Sequence, residues 1–105
     1  DIAGYRERVV VESALPLRAL VAGGTYARQR NAAARWRALG ARVAVVPSKT
    51  ADEAKRYAKA WDYDLLIWQS GSGAKLTRVK DGRARTLRGE PSDEHVSWAR
   101  VGNKS

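Results

Sequence analysis

Strand-like and helix-like stretches alternate along this chain, which predicts an α/β domain: a mainly parallel sheet with flanking helices in three layers, plus an antiparallel basic hairpin. Three observations carry that reading. The run Leu65-Leu66-Ile67-Trp68 is short, apolar and unbroken, as suits a strand covered on both faces. Two helix-like stretches precede it, each after an apolar run, so the order strand, helix, strand, helix, strand implies parallel pairing through right-handed crossovers. After it, the alternating segment from Lys75 to Arg88 surrounds Asp81-Gly82, a pair that favours a tight primed turn. The 105 residues make one domain, 1–105, large enough for a modest core and too short for two.

Taken in order, Tyr5 to Glu12 is expected as a strand because of its valine run, although the charged residues before that run equally suit a helix start. Pro16 ends any helix begun at Ser13, and Leu17 to Ala22 is a second apolar run closed by Gly23-Gly24. Thr25 to Leu39 is rich in Ala and Arg, with Thr25 placed as N-cap and Gly40 where a C-terminal glycine belongs. Its apolar side runs through Ala32, Trp36 and Leu39. Arg28 with Arg35, and Arg30 with Arg37, form stripes about 200° apart, which reads as cations lying beside a buried seam in preference to one groove-reading face.

Ala41 to Pro47 is a strand stopped by proline, and Thr50-Ala-Asp-Glu53 has the spacing of a capping box. Behind it Ala54, Tyr57, Ala58 and Trp61 recur at i, i+3, i+4 and i+7, so a second amphipathic helix is expected with its rings inward. The tail from Gly89 is turn-rich, with Val96-Ser-Trp98 as a short last strand.

The hairpin register follows from its turn. With Asp81 and Gly82 as the two loop residues, Lys80 faces Arg83, Arg78 faces Arg85 and Leu76 faces Leu87. Leu76, Arg78, Lys80, Arg83, Arg85 and Leu87 then share one surface, and like charges opposite each other are destabilising unless a polyanion neutralises them. A solvated edge kept soluble by Lys and Arg is the alternative.

The balance of 20 Lys and Arg against 11 Asp and Glu, net +9, points to an acidic partner, nucleic acid first and an anionic membrane surface second. Without Cys there are no disulfides and no thiolate zinc site. The chain starts at Asp1 with no Met, which reads as a cut domain or a processed product. Neither a secretory pattern nor a run long enough to span a membrane stands out, so a soluble protein is expected, cytoplasmic in preference to secreted.

Two resemblances follow from particular residues. Val21-Ala-Gly-Gly-Thr25 through Ala41-Arg-Val-Ala-Val-Val46 resembles the first βαβ unit of short-chain dehydrogenases, which implies a Rossmann-like nucleotide-binding module. Ala27 and Gln29 stand where that family has further glycines, and Pro47-Ser48-Lys49 where it closes the second strand on an acid. The stretch from Tyr26 to Arg85 resembles restriction-endonuclease-like cores of the PD-(D/E)xK type, with Asp64-Leu-Leu-Ile-Trp68 similar to the Asp strand and Leu76-Thr-Arg-Val-Lys80 to the acid-x-Lys strand. That resemblance implies a bacterial nuclease, toxin-like or associated with a mobile element, with Asp64 and Lys80 catalytic and Mg²⁺ held by Asp64 and Asp62. Arg78 stands in the place of the signature acid, and Gln29 where a helix Glu belongs.

Two further features bear chemistry. Ser70, Gly71, Ser72 and Gly73 follow the carboxyl end of the central strand, where successive amides could nest a phosphate or merely connect two strands. His95, the sole imidazole, could act as general acid or base in a metal-free ribonuclease. The expectation is a nucleic-acid-binding domain contacting phosphates through Lys75, Arg78, Lys80, Arg83, Arg85 and Arg88, with a nuclease, degenerate or active, as its enzymatic version. Its rival is a non-enzymatic protein-interaction or secretion-apparatus domain with an acidic protein partner.

Overall fold

The computed structural model describes residues 16–47, 50–71 and 73–101. The strand expected over Tyr5 to Glu12 lies outside the described residues, as does Ser72. The described elements are β1 (Arg18–Ala22), α1 (Tyr26–Ala38), β2 (Arg42–Val45), α2 (Ala51–Ala60), β3 (Leu65–Ser70), β4 (Gly73–Arg78), β5 (Ala84–Arg88) and α3 (Asp93–Val101). The strands form one sheet in the order β2-β1-β3-β4-β5.

Both helices expected in the first half form where their caps stand. Thr25 is extended and its hydroxyl accepts from the Arg28 amide at 3.2 Å, satisfying a donor that has no partner inside α1. The Thr50 hydroxyl does the same for Glu53 at 3.1 Å. Gly40, with φ of 92°, takes the left-handed turn after α1.

Alternation within the strands splits the buried residues into two groups. Ala19 and Val21 of β1, Leu65 and Ile67 of β3, Ala74 and Leu76 of β4 and Leu87 of β5 face Trp36 of α1 and Val96 and Ala99 of α3. Leu20, Ala22 and Leu66 face Ala54 and Ala58 of α2 on the other side. Strand β3 is therefore buried on both faces, the physical reason its sequence is an unbroken apolar run.

The architecture corrects the expected fold. The sheet is mixed, not mainly parallel: β1 pairs in parallel with β2 and β3 over four register positions each, whereas β3 with β4 and β4 with β5 run antiparallel over six and five. The hairpin is therefore two of the five strands and no appendage. Nor is the sheet a three-layer sandwich throughout, because α2 covers β1 and β3, while the opposite face carries α1 and α3. The outward side chains of β4 and β5 on the α2 side, Lys75, Thr86 and Arg88, are exposed.

Three local expectations also change. Residues 96–98 belong to helix α3 and not to a last strand, since Val96 and Ala99 one turn apart bury against the sheet. Tyr57 and Trp61 are 39% and 61% exposed, because α2 packs through its alanines and leaves the two rings against each other, with centroids 6.0 Å apart. The hairpin register differs by two residues, with Leu76 opposite Arg85 and Thr77 opposite Ala84. The cause is a longer loop: Asp81 accepts from the Arg83 amide at 3.1 Å, and the Gly82 amide closes back on the Arg78 carbonyl at 2.9 Å.

Candidate nucleic-acid interface

A shift of two keeps side chains on their faces, so Leu76, Arg78, Arg85 and Leu87 do share one surface. That surface is the core face, and α3 lies on it. Arg78 is 4% exposed; its guanidinium donates to Asp81 at 2.8 and 3.2 Å and to the Trp98 carbonyl at 3.0 Å, and lies 4.8 Å from the Trp98 ring. Arg85 also lies over Trp98, at 5.6 Å, and pairs with Glu94 at 3.4 Å. The repulsion foreseen between the paired cations is thus relieved within the protein, by two carboxylates and one indole. Lys80 and Arg83 sit exposed around the same turn.

Asp81 gives this turn a pH dependence. The hydrogen bond from the Arg83 amide is the largest cause holding its carboxyl below the ordinary carboxylate range; burial opposes it, and the Arg78 guanidinium and the Arg83 charge add to the lowering. Because the folded state favours the charged form, the stabilisation is present above the unfolded carboxyl pKa of about 3.9 and is lost as pH falls through the lower folded value. Asp81→Asn is expected to remove that part of the acid-limb decline, as read by denaturant melts between about pH 2 and pH 6.

Of the residues expected to cut and to hold metal, Asp62, Asp64 and Lys80 lie at the same end of the sheet and His95 lies on α3. The Asp64 carboxylate accepts from the Arg18 amide at 2.9 Å, tying the starts of β1 and β3. Asp62, at φ of 59°, turns the chain into β3, and its carbonyl accepts from the Arg18 guanidinium at 3.2 Å. Among the described residues no three His, Asp or Glu side chains gather as a donor set for a metal ion. His95 lies on α3, its Nδ1 accepting from the Ser92 amide at 3.0 Å at the helix entry.

The opposite end of the sheet is different in character. There β1 leaves through Gly23-Gly24 into α1, and β3 turns through Gly71 into β4. Gly23 lies flat on the end of β3: a Cβ would come within 2.8 Å of the Gln69 carbonyl oxygen and 2.9 Å of the Trp68 indole, so no side chain fits. The buried Gln29 side chain donates to the Gly23 carbonyl at 2.8 Å and fixes the turn from the helix side. Arg28 reaches from α1 to the Gly73 carbonyl at 3.3 Å and to Gln69 Oε1 at 3.5 Å, tethering the helix to the start of β4.

Two hollows result, one on each side of the β4–β5 ribbon, sharing Gly73 and Ala74. One, about 210 Å³, lies between α1 and the ribbon, with Arg28, Asn31 and Arg35 along one wall and Gln69, Ala74 and Leu87 along the other. The second, about 340 Å³, lies on the outer face among Ser70, Lys75, Thr86 and Arg88. Arg28, Arg35, Lys75 and Arg88 line the two hollows, and no carboxylate does. Glu90 pairs with Arg35 at 3.7 Å, but both are well exposed, a kind of pair worth about 0–1 kcal/mol. Lys75 and Arg88 are exposed and have no partner among the described residues.

Of the residues singled out in the sequence, the structure therefore brings together Ser70, Gly71, Gly73, Lys75 and Arg88, and places Asp62, Asp64, Lys80 and Arg83 at the far end of the strands. Arg28, Asn31, Arg35 and Gln69 were missed as a set. Their signal was the seven-residue spacing of Arg28 and Arg35, two turns apart on one helix side. Among the described residues no helix is long and apolar enough to cross a membrane. No protein-family profile matches the chain, and no curated protein is significantly similar to it.

Proposed function

We propose that this domain binds nucleic acid through its phosphate backbone, at the end of the sheet where the Gly23-Gly24 turn lies beside Ser70, Gly71 and Gly73. The observation that carries the reading is the acid-free lining of the two adjoining hollows, with Lys75 and Arg88 exposed and unpaired among the described residues. Lys75, opposite Thr86, and Arg88, opposite Gly73, lie diagonally across the outer face of the ribbon, about 7–8 Å apart, a spacing that suits neighbouring phosphates of a chain better than a single small anion, and contacts of this kind give affinity with little sequence readout. The net charge of +9 supports the same partner by attracting it over longer range. Compared with the sequence expectation, the contact set keeps Lys75, Arg88 and the turn, gives up the buried Arg78, the Glu94-paired Arg85 and the far-end Lys80 and Arg83, and takes in Arg28 and Arg35.

Amide and side-chain NMR signals followed during titration with a short duplex test the location. Shifts centred on Ser70, Gly71, Gly73, Lys75 and Arg88 are expected. Binding that leaves those signals unmoved, or no binding at low salt, contradicts the reading and turns the search to an acidic protein partner.

A further inference from the structure

The hollow between α1 and the ribbon has a feature that its neighbour on the outer face lacks: a floor. Trp36, Ala74 and Leu87, exposed by only 1%, 6% and 5%, close it from below, so it is a recess and not a track along the surface. Its volume of about 210 Å³ is enough for one phosphorylated unit. Its polar lining consists of donors. Arg28 and Arg35 stand two turns apart on α1 with Asn31 between them, and Gln69, nine-tenths buried, spends its carbonyl oxygen on Arg28 and leaves its amide nitrogen without an acceptor among the described residues.

We infer that this recess is a binding site for a phosphomonoester, the terminal phosphate of a strand or the phosphate of a mononucleotide, held by Arg28, Asn31, Arg35 and Gln69. A terminal phosphate carries more charge than an internal diester and presents three free oxygens, so it satisfies several fixed donors at once where a diester offers only two free oxygens and a single charge. The arginine fork suits that geometry better than a lysine point charge. Arg28 is held in place by the Gly73 carbonyl, and Arg35 is free to exchange its exposed Glu90 partner for the phosphate. This assignment rests on the proposed nucleic-acid reading only for the identity of the strand; the recess itself is read from its own lining.

The test is binding of one short oligonucleotide in 5′-phosphorylated, 3′-phosphorylated and unphosphorylated forms, alongside a nucleoside monophosphate and inorganic phosphate, to the full chain. One terminally phosphorylated form is expected to bind about tenfold tighter than the unphosphorylated strand, the worth of one or two charge-assisted hydrogen bonds. Asn31→Asp, which puts a carboxylate into the recess at constant shape, and Arg35→Ala, a surface change to a good helix former, are each expected to erase that preference, so that phosphorylated and unphosphorylated strands bind alike, with Arg35→Ala also lowering the affinity for both by about the eightfold worth of one backbone contact. Equal affinity for all forms, together with no competition by the monophosphate, overturns the assignment while leaving backbone binding intact. Binding of the monophosphate without binding of any oligonucleotide upholds the recess and sinks the nucleic-acid reading instead.

Discussion

Reversing both outer-face cations, Lys75→Glu with Arg88→Glu, is expected to weaken binding to a short duplex by about 60-fold or more at about 0.1 M salt, as read by fluorescence anisotropy. The figure comes from counterion release: each phosphate contact changes the logarithm of affinity by about 0.9 per decade of salt, so one contact is worth about eightfold at that concentration and two multiply. Both side chains are exposed and without partners among the described residues, so the fold is expected to hold, with stability within about 0.5 kcal/mol of the parent. Arg83→Glu serves as the control for location. Arg83 is equally exposed but lies at the other end of the strands, where its loss removes long-range attraction and no contact, so its effect is expected to be several times smaller. Equal effects at the two ends would mean that charge alone, with no located surface, drives the association.

Trp36→Ala is expected to lower unfolding stability by about 3–5 kcal/mol, the usual cost of removing a large aromatic from a packed core. Trp36 is 1% exposed and belongs to the larger of the two cores, with residues of β1, β3 and β4, where it is the bulkiest fully buried side chain. Against a typical total of about 5–15 kcal/mol this is a large fraction, so the variant is expected to melt early and with a loose α1. Urea unfolding followed by far-ultraviolet circular dichroism measures it, and a loss under about 1 kcal/mol would show that α1 is not seated on the sheet as described.

Much of the parallel half was legible in the sequence because local chemistry and tertiary demand agree there. Thr25 and Thr50 announce their helices through hydroxyls that the structure finds on the expected amides, and Leu65 to Trp68 announces a strand covered on both faces. The basic ribbon was legible in its alternation and misread in its orientation. Period two says that Leu76, Arg78, Arg85 and Leu87 share a face, but not which face, and that depends on α3. The nine-residue α3 was missed because its first turn, Asp93-Glu94-His95, resembles turn chemistry, and Val96 with Trp98 resembles strand chemistry; only the partnership of Val96 with Ala99 speaks for a helix. Once α3 is in place, Trp98 and Glu94 occupy Arg78 and Arg85, and the candidate surface moves to the other end of the sheet. The loop register was beyond sequence reasoning for a related cause, since Asp81 bonding the Arg83 amide and the Arg78 guanidinium makes a longer turn competitive with the two-residue one.

The most direct test of phosphate-backbone binding at this end of the sheet is the dependence of duplex affinity on salt, measured for the parent chain and for Lys75→Glu with Arg88→Glu. Engagement of Arg28, Arg35, Lys75 and Arg88 predicts a slope of log affinity against log salt of about −3.6 for the parent, shallower by about two in the variant. A parent slope near zero, or a variant whose slope matches the parent's, would contradict it.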